Sequence, residues 1–153
     1  MKIIKYSSNR AKETTEIFYQ SIHAIDNAIY SESQKQAWAP LPIEYEKWAK
    51  RLELKKPYLL LINDKIAGFI ELESDGYINC FYVSPGFQRK GVASTLLNYL
   101  IDSAKSLGIN LLTVEASLVV KPLFEKFGFI TEKKNKIRRK NTVLINYSMR
   151  KKI

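Results

Sequence analysis

The segment from residue 77 to residue 115 constrains this chain most. A strand-like run, Tyr77-Ile78-Asn79-Cys80-Phe81-Tyr82-Val83, leads into a turn containing Pro85 and Gly86. Beyond it Val92, Leu96, Leu97, Leu100, Ile101, Ala104 and Leu107 recur at helical spacing. They mark one stripe of a helix over 88–107, about five turns long, with Gly108 in the C-cap position. A second strand, 111–115, follows. Strand, long helix and strand in that order bring the second strand back parallel to the first, through a right-handed crossover.

The remaining segments read as antiparallel partners and covering helices. Residues 1–6 form a first strand. Ser7, Ser8 and Asn9 offer cap oxygens for a helix to about residue 25, with Ala11, Phe18, Ile22 and Ile25 on one face. A short helix over 33–38 starts near Ser31 or Ser33 and stops at Pro40, and another over 43–54 starts after Pro42. Strands 57–62 and 65–73 make a hairpin around Asn63-Asp64, and Ser74-Asp75-Gly76 turns the chain into strand 77–83. After residue 115 come a helix over 119–126 ended by Gly128 and two strands, 129–134 and 143–149. No repeat and no Gly/Ser/Pro-rich linker interrupts this order, so 1–153 reads as a single domain.

Composition narrows the functional classes. A chain of this length buries roughly 68–70% of its unfolded surface, and its 46% hydrophobic content supplies a core. Cys80 is the only cysteine and His23 the only histidine, so neither an intramolecular disulfide nor a Cys/His zinc cage can form, and no metal is expected. No apolar run approaches a membrane span and the amino terminus lacks a signal-peptide core, which points to the cytoplasm without a membrane partner. The net charge of +10 is local: residues 1–130 carry 16 Lys/Arg against 14 Asp/Glu, whereas 131–153 carry 9 against Glu132. Lys133, Lys134, Lys136, Arg138, Arg139 and Lys140 read as a basic hairpin tip, a solvated turn in the plain reading and a contact for an acidic ligand or partner in the other. Nucleic-acid binding rests on that cluster alone.

The turn before the long helix carries the chemistry. In Gln88-Arg89-Lys90-Gly91-Val92-Ala93, Gly91 and Ala93 lie where backbone N–H groups lack intrahelical acceptors. Such a turn favours an anion: the small residues permit close approach, and the helix dipole with Arg89 and Lys90 supplies positive potential. No Gly-Lys-Ser/Thr closes a Walker loop, and the dinucleotide fingerprint is absent.

These residues resemble a family. Gln88-Arg89-Lys90-Gly91-Val92-Ala93 is similar to the Gln/Arg-x-x-Gly-x-Gly/Ala acyl-CoA signature of the GNAT N-acetyltransferases, and Phe81-Tyr82-Val83-Ser84-Pro85 precedes it as Leu-Tyr-Val-x-Pro does in that family. Lys121-Pro122-Leu123-Phe124-Glu125-Lys126-Phe127-Gly128-Phe129 is similar to the family's late Ala-x-x-Phe-Tyr-Glu-Lys-x-Gly-Phe segment. The resemblance implies an α/β (α+β) fold: a mixed, mainly antiparallel sheet of about seven strands, with a parallel splayed pair and helices on both faces. It implies acetyl-CoA as donor, with the amides of Gln88, Arg89, Lys90, Gly91, Val92 and Ala93 on its pyrophosphate. Tyr82 and Val83 would pair with the pantetheine arm, and Ser117 stands where many relatives place an Asn that touches it.

The family's usual thiolate-protonating Tyr is here Phe124, which has no proton to give and would line the cofactor arm. Tyr77, Tyr82 and Cys80 are the alternative donors; simple alternation puts Tyr77 and Asn79 on one face of their strand and Cys80 and Tyr82 on the other. For the base, Glu71, Glu73 and Glu115 are candidates, Glu115 at the splay, Glu71 and Glu73 otherwise reading as a solvated hairpin face. His23 is a base or substrate contact, or else a half-buried helix residue. Tyr30 and Trp38, with Tyr45 and Trp48, concentrate aromatic surface where the acceptor pocket varies in this family, or simply pack helices on the sheet. The expected function is direct acetyl transfer from acetyl-CoA to an amine of a small molecule or peptide, by a monomer or homodimer. A non-catalytic acyl-CoA sensor and a basic nucleic-acid-binding protein are the alternatives.

Overall fold

Seven strands form one sheet: β1 (Lys2–Lys5), β2 (Tyr58–Ile62), β3 (Lys65–Leu72), β4 (Tyr77–Val83), β5 (Leu111–Ala116), β6 (Ile130–Arg139) and β7 (Thr142–Lys152). The computed structural model describes residues 1–153. The spatial order is β1-β2-β3-β4-β5-β7-β6, antiparallel throughout except between β4 and β5. The helices are α1 (Ala11–His23), α2 (Glu32–Trp38), α3 (Tyr45–Lys55), α4 (Val92–Ser106) and α5 (Lys121–Lys126).

Local chemistry sets these boundaries. Asn63 and Asp64 take positive φ values of 51° and 63°, the handedness a two-residue hairpin turn needs. Ser31 caps α2 in a full capping box with Gln34. The helix expected from residue 88 starts only at Val92, because Arg89 and Gly91 hold φ of 62° and 77°, which no right-handed helix accommodates. The segment expected as a basic tip is instead strand: β6 runs unbroken to Arg139, and only Lys140 and Asn141 turn.

The sheet is buried on both faces. One core gathers Ile70, Ile78, Phe81, Leu96, Leu97, Leu100, Val114 and Phe124 under α4 and α5. The other gathers Phe18, Ile22, Leu52, Leu59, Phe69 and Cys80 under α1 and α3. Each fully buried large apolar side chain contributes about 1.5–3 kcal/mol relative to exposure. Gly68 sets how closely α4 lies on β3: a Cβ there would stand 2.9 Å from the Tyr82 carbonyl oxygen and 3.0 Å from Val92 Cγ1.

Two irregularities position the site. The parallel ladder between β4 and β5 consists of Tyr77↔Thr113 and Ile78↔Val114, after which the strands part, β4 continuing to Val83 and β5 to Ala116. Opposite β3, the register passes from Ile70↔Phe81 to Leu72↔Ile78, so β4 spends an extra residue there, a β-bulge. The bulge overturns the expected alternation. Ile78 and Phe81 both enter the α4 core, while Cys80 enters the α1 core with Tyr82 packed against it.

Candidate active site

Where β4 and β5 part, a cleft of about 340 Å³ opens. Its walls include Ile78, Phe81, Val114, Ala116 and Phe124 from the α4–α5 core, and Phe18, Trp38, Trp48, Cys80 and Tyr82 from the α1–α3 side. Because those two sets lie on opposite faces of the sheet, the cleft passes through the sheet rather than resting on it. Every residue from Tyr77 to Tyr82 lines it. The bulge therefore gives Tyr77, Cys80 and Tyr82 access to one space, which strict alternation would have forbidden.

The half toward α5 is apolar. Phe124 is fully buried, with its ring edge-on to Phe81 at 5.8 Å and Phe129 at 4.9 Å. Tyr30 is buried and ties three segments together: its hydroxyl accepts from the Leu118 N–H at 3.0 Å and donates to the Ile145 carbonyl at 3.3 Å. That places Ser117, also a wall residue, between the end of β5 and α5.

The opposite half is aromatic and charged. Trp38 Nε1 donates to the Tyr82 hydroxyl at 3.2 Å, and Phe18 lies 4.2 Å from Trp48 and 5.0 Å from Tyr82, centroid to centroid. The Arg51 guanidinium stands 4.9 Å over the Trp48 ring and donates to both oxygens of Glu71, at 2.6 and 2.7 Å, and to Cys80 Sγ at 3.2 Å. Burial works against the charge on Arg51, yet its bonds with Glu71 outweigh it and the guanidinium is held cationic. Burial also pushes the Cys80 thiol up to about 12, with Glu71 adding to the rise. Tyr77 is raised by burial and then by Glu115, so its phenol keeps its proton at neutral pH.

Several residues singled out by sequence stand elsewhere. Glu71 is not on a solvated face: it is buried beneath Arg51 because β3 is covered by α3, and it is not itself a wall of the cleft. Glu73 is half-buried and salt-bridged to Lys55. His23 stands outside the cleft, its Nε2 2.8 Å from the Ala39 carbonyl oxygen. Glu115 and Tyr77 do line the cleft, as do Tyr30 and Trp38. Two charged wall residues were not anticipated. Arg51 lies three positions after Trp48, the spacing that puts both on one helix face, and this was the available signal. Arg139 was hidden in the basic cluster, since only pairing with β7 turns it and Ile137 toward the cleft.

The turn between β4 and α4 follows directly on the strand that walls the cleft. The turn is irregular: Arg89 and Gly91 have positive φ while Gln88 is extended, with φ of −64° and ψ of 151°. Turns with such left-handed residues can leave successive N–H groups free for an anion. The start of α4 has no side-chain cap and no acidic residue in its first turn, and Gln88, Arg89, Lys90 and Gly91 are exposed. Gln88 Nε2 donates to the Val83 carbonyl at 3.2 Å, bracing the turn against its strand. Val83 itself is half-buried beyond the cleft walls.

A family model described as an acetyltransferase (GNAT) domain matches residues 26–151. The uncharacterised N-acetyltransferase YafP of Escherichia coli (strain K12) is 32% identical over 150 residues, covering 98% of this chain and 95% of that protein. Among solved structures, a GCN5-related N-acetyltransferase from Rhodopseudomonas palustris superposes with a TM-score of 0.92 at 29% identity, covering 99% of this chain and 95% of that one. The PaiA N-acetyltransferase of Thermoplasma acidophilum, solved in complex with coenzyme A, superposes with a TM-score of 0.78 at 21% identity, over 99% and 98% of the two chains.

Proposed function

This chain belongs to the GNAT acetyltransferase family, and from that premise we propose that it transfers an acetyl group directly from acetyl-CoA to a primary amine, as a single cytoplasmic N-acetyltransferase domain. The observation that carries the reading is the cleft through the sheet, since it offers the two substrates separate approaches to one point. Acetyl-CoA enters on the α4–α5 side. The amides of Gln88 to Ala93 take its pyrophosphate, with Arg89 and Lys90 adding charge. The pantetheine arm lies along Tyr82 and Val83 and against Ser117 and Phe124.

The amine enters from the α1–α2 side. Its nitrogen attacks the thioester carbonyl, the C–S bond of the tetrahedral intermediate breaks, and amide and CoA thiolate separate. One proton leaves the amine for solvent by way of Glu115, and one reaches the thiolate. A backbone N–H on the splayed stretch Phe81 to Val83 receives the oxyanion. Tyr77, whose phenol is protonated at neutral pH, takes the donor role that Phe124 cannot fill. A covalent acetyl-cysteine step finds no support, because a thiol pushed up to about 12 is protonated and poorly nucleophilic. The non-catalytic sensor rests on Phe124 in the place of the family's Tyr, and product formation separates it from the transferase reading.

The test is product formation. Incubation with isotope-labelled acetyl-CoA and a primary-amine library should yield labelled amides with stoichiometric free CoA. Glu115→Gln should lower turnover most at low pH, where free amine is scarce, while calorimetric affinity for acetyl-CoA is kept. Acetyl-CoA binding without any labelled amide would reject the transferase reading.

A further inference from the structure

The bond from Trp38 Nε1 to the Tyr82 hydroxyl, 3.2 Å long, runs in one direction only. An indole nitrogen donates and cannot accept, so the Tyr82 oxygen is the acceptor and its own O–H proton is left over. Tyr82 makes no other side-chain hydrogen bond. Its ring is held on three sides, with Phe18 edge-on at 5.0 Å, Phe69 at 5.8 Å and Trp38 at 6.3 Å, centroid to centroid. Trp38 is held in turn by Tyr30 at 5.4 Å. Burial raises the Tyr82 phenol well above its ordinary value, so the proton stays on the oxygen at neutral pH. One wall of the cleft thus carries a rigid donor that the protein does not satisfy.

We propose that Tyr82 selects the acceptor: its hydroxyl donates to a neutral carbonyl oxygen carried beside the amine, so the substrate is an α-amino amide, as at the amino end of a peptide. Trp38 is the positioning residue that fixes the hydroxyl. This deepens the acetyltransferase reading and rests on it. Tyr82 lies on β4 beyond the last ladder pair with β5, and its side chain packs on the α1–α3 core, the side from which the amine enters. The amine's one lone pair is needed for attack, so the partner of the hydroxyl must be a second atom of the same molecule. An ammonium has no lone pair to offer, which sets diamines aside. A carboxylate would be desolvated without a free counter-ion on this side, because the Arg51 guanidinium is already matched by Glu71 at 2.6 and 2.7 Å. An amide carbonyl meets the donor without that cost. In the transfer the amine nitrogen bonds the acetyl carbon, the C–S bond breaks, and R–NH2 with acetyl-CoA gives R–NH–CO–CH3 and CoA–SH, the carboxamide remaining unchanged.

The experiment compares two matched sets: L-phenylalaninamide, L-phenylalanine and phenethylamine, and L-leucinamide, L-leucine and isopentylamine. Acetylated product is measured by mass spectrometry, with kcat/KM expressed on the free-amine concentration because a neighbouring carbonyl lowers the amine's proton affinity. In at least one set the amide should exceed both its amine and its amino acid by about tenfold, the size expected when a buried donor loses its partner. Tyr82→Phe should collapse the amide-to-amine ratio through a raised KM for the amide, with calorimetric affinity for acetyl-CoA retained. Trp38→Phe, which leaves the hydroxyl in place without its clamp, should lower the ratio less, and Tyr99→Phe, removing a hydroxyl on the exposed side of α4, should preserve it. Preference for the amine or the amino acid, or a ratio unmoved by Tyr82→Phe, overturns the proposal. So does an equal fall in kcat for amide and amine, which would put the hydroxyl on the thioester instead. Should a variant fail to fold, the wild-type ratios decide alone. Acetylation of all three members without preference would leave the transferase reading standing and remove only this one, whereas acetyl-CoA binding with nothing acetylated would remove both.

Discussion

The Arg51 guanidinium and the Glu71 carboxylate meet in a two-bond fork, Nη1 to Oε2 at 2.6 Å and Nη2 to Oε1 at 2.7 Å, with Glu71 only 1% exposed and Arg51 still reaching the cleft. The pair joins α3 to β3 and sets the floor on which Trp48 and Cys80 rest. Removing one partner leaves the other charge underneath a helix without compensation.

Glu71→Gln is therefore expected to destabilise the fold by about 2–4 kcal/mol, near the range for breaking a buried pair. Arg51→Met combined with Glu71→Gln should recover part of that loss, because both charges are then gone. Urea titrations of the two single variants and the double variant read this coupling directly; additive losses would mean the fork contributes nothing specific.

At Gly91 the backbone is left-handed, with φ of 77°, and nothing stands within 4 Å of an added Cβ. Gly91→Ala should cost about 1–2 kcal/mol of backbone strain and keep most affinity for acetyl-CoA. Gly91→Asp carries similar strain but adds a carboxylate at the uncapped start of α4, so calorimetry should show binding lost. Equal affinities for the two variants would remove the anion cradle from this turn.

Gly68→Ala tests the seat of α4. Its Cβ would press on the Tyr82 carbonyl and on Val92, and neither backbone nor a branched core side chain can swing away. A loss of about 1–3 kcal/mol is expected, as for overpacking elsewhere. Acetyl-CoA affinity should weaken too, since Val92 opens the helix that presents the N–H groups. A variant with native melting temperature and affinity would show that α4 floats over β3.

The Cys80 thiol gives a pH signature. Its native proton affinity, pushed up to about 12 by burial, exceeds that of an unfolded thiol near 8.5. The stability it contributes is thus complete below about pH 8.5 and declines as pH rises toward 12. Tyr77 and Tyr82, both raised chiefly by burial, act in the same direction. Iodoacetamide at pH 8.5 should alkylate the native protein at least about 100-fold more slowly than the urea-unfolded chain. Comparable rates would mean that the sulfur is open to the cleft solvent.

Phe124→Tyr should restore a hydroxyl at the apolar wall. With the ring held edge-on by Phe81 and Phe129, the new group has no evolved partner, so turnover should rise by less than about 100-fold with acetyl-CoA affinity retained. Loss of affinity would instead identify that wall as filled by the cofactor arm.

Much of this could be read along the chain because it depends on local chemistry. The stripe from Val92 to Ala104, the Asn63-Asp64 turn and the extent of Tyr77–Val83 all appear in the structure nearly as the residues announce them, whereas Leu107, expected to close the stripe, is 69% exposed past the end of α4. What escaped depends on pairing between distant strands. Whether Cys80 and Tyr82 face the same side as Tyr77 is decided by the extra residue opposite Ile70 to Leu72, and no residue type in β4 marks it. Arg139 likewise looked like one lysine-rich neighbour among several until β7 fixed which face of β6 it occupies. Glu71 shows the complementary failure: alternation gave its direction, but only α3 lying over that face makes the position interior.

The brief parallel ladder has a mechanical meaning. Four strands on one side and three on the other are joined within the sheet at Tyr77↔Thr113 and Ile78↔Val114, so the two halves behave as jaws on a short pivot, open at the far end. Tyr30, reaching from the segment before α2 to both Leu118 and Ile145, acts as a stay between them. A molecule lodged between the jaws adds backbone partners beyond the pivot and turns two half-sheets into one continuous plate. Amide protons of β5 and β7 should then exchange more slowly when that gap is filled, reporting occupancy from strands that do not touch the anion cradle at all.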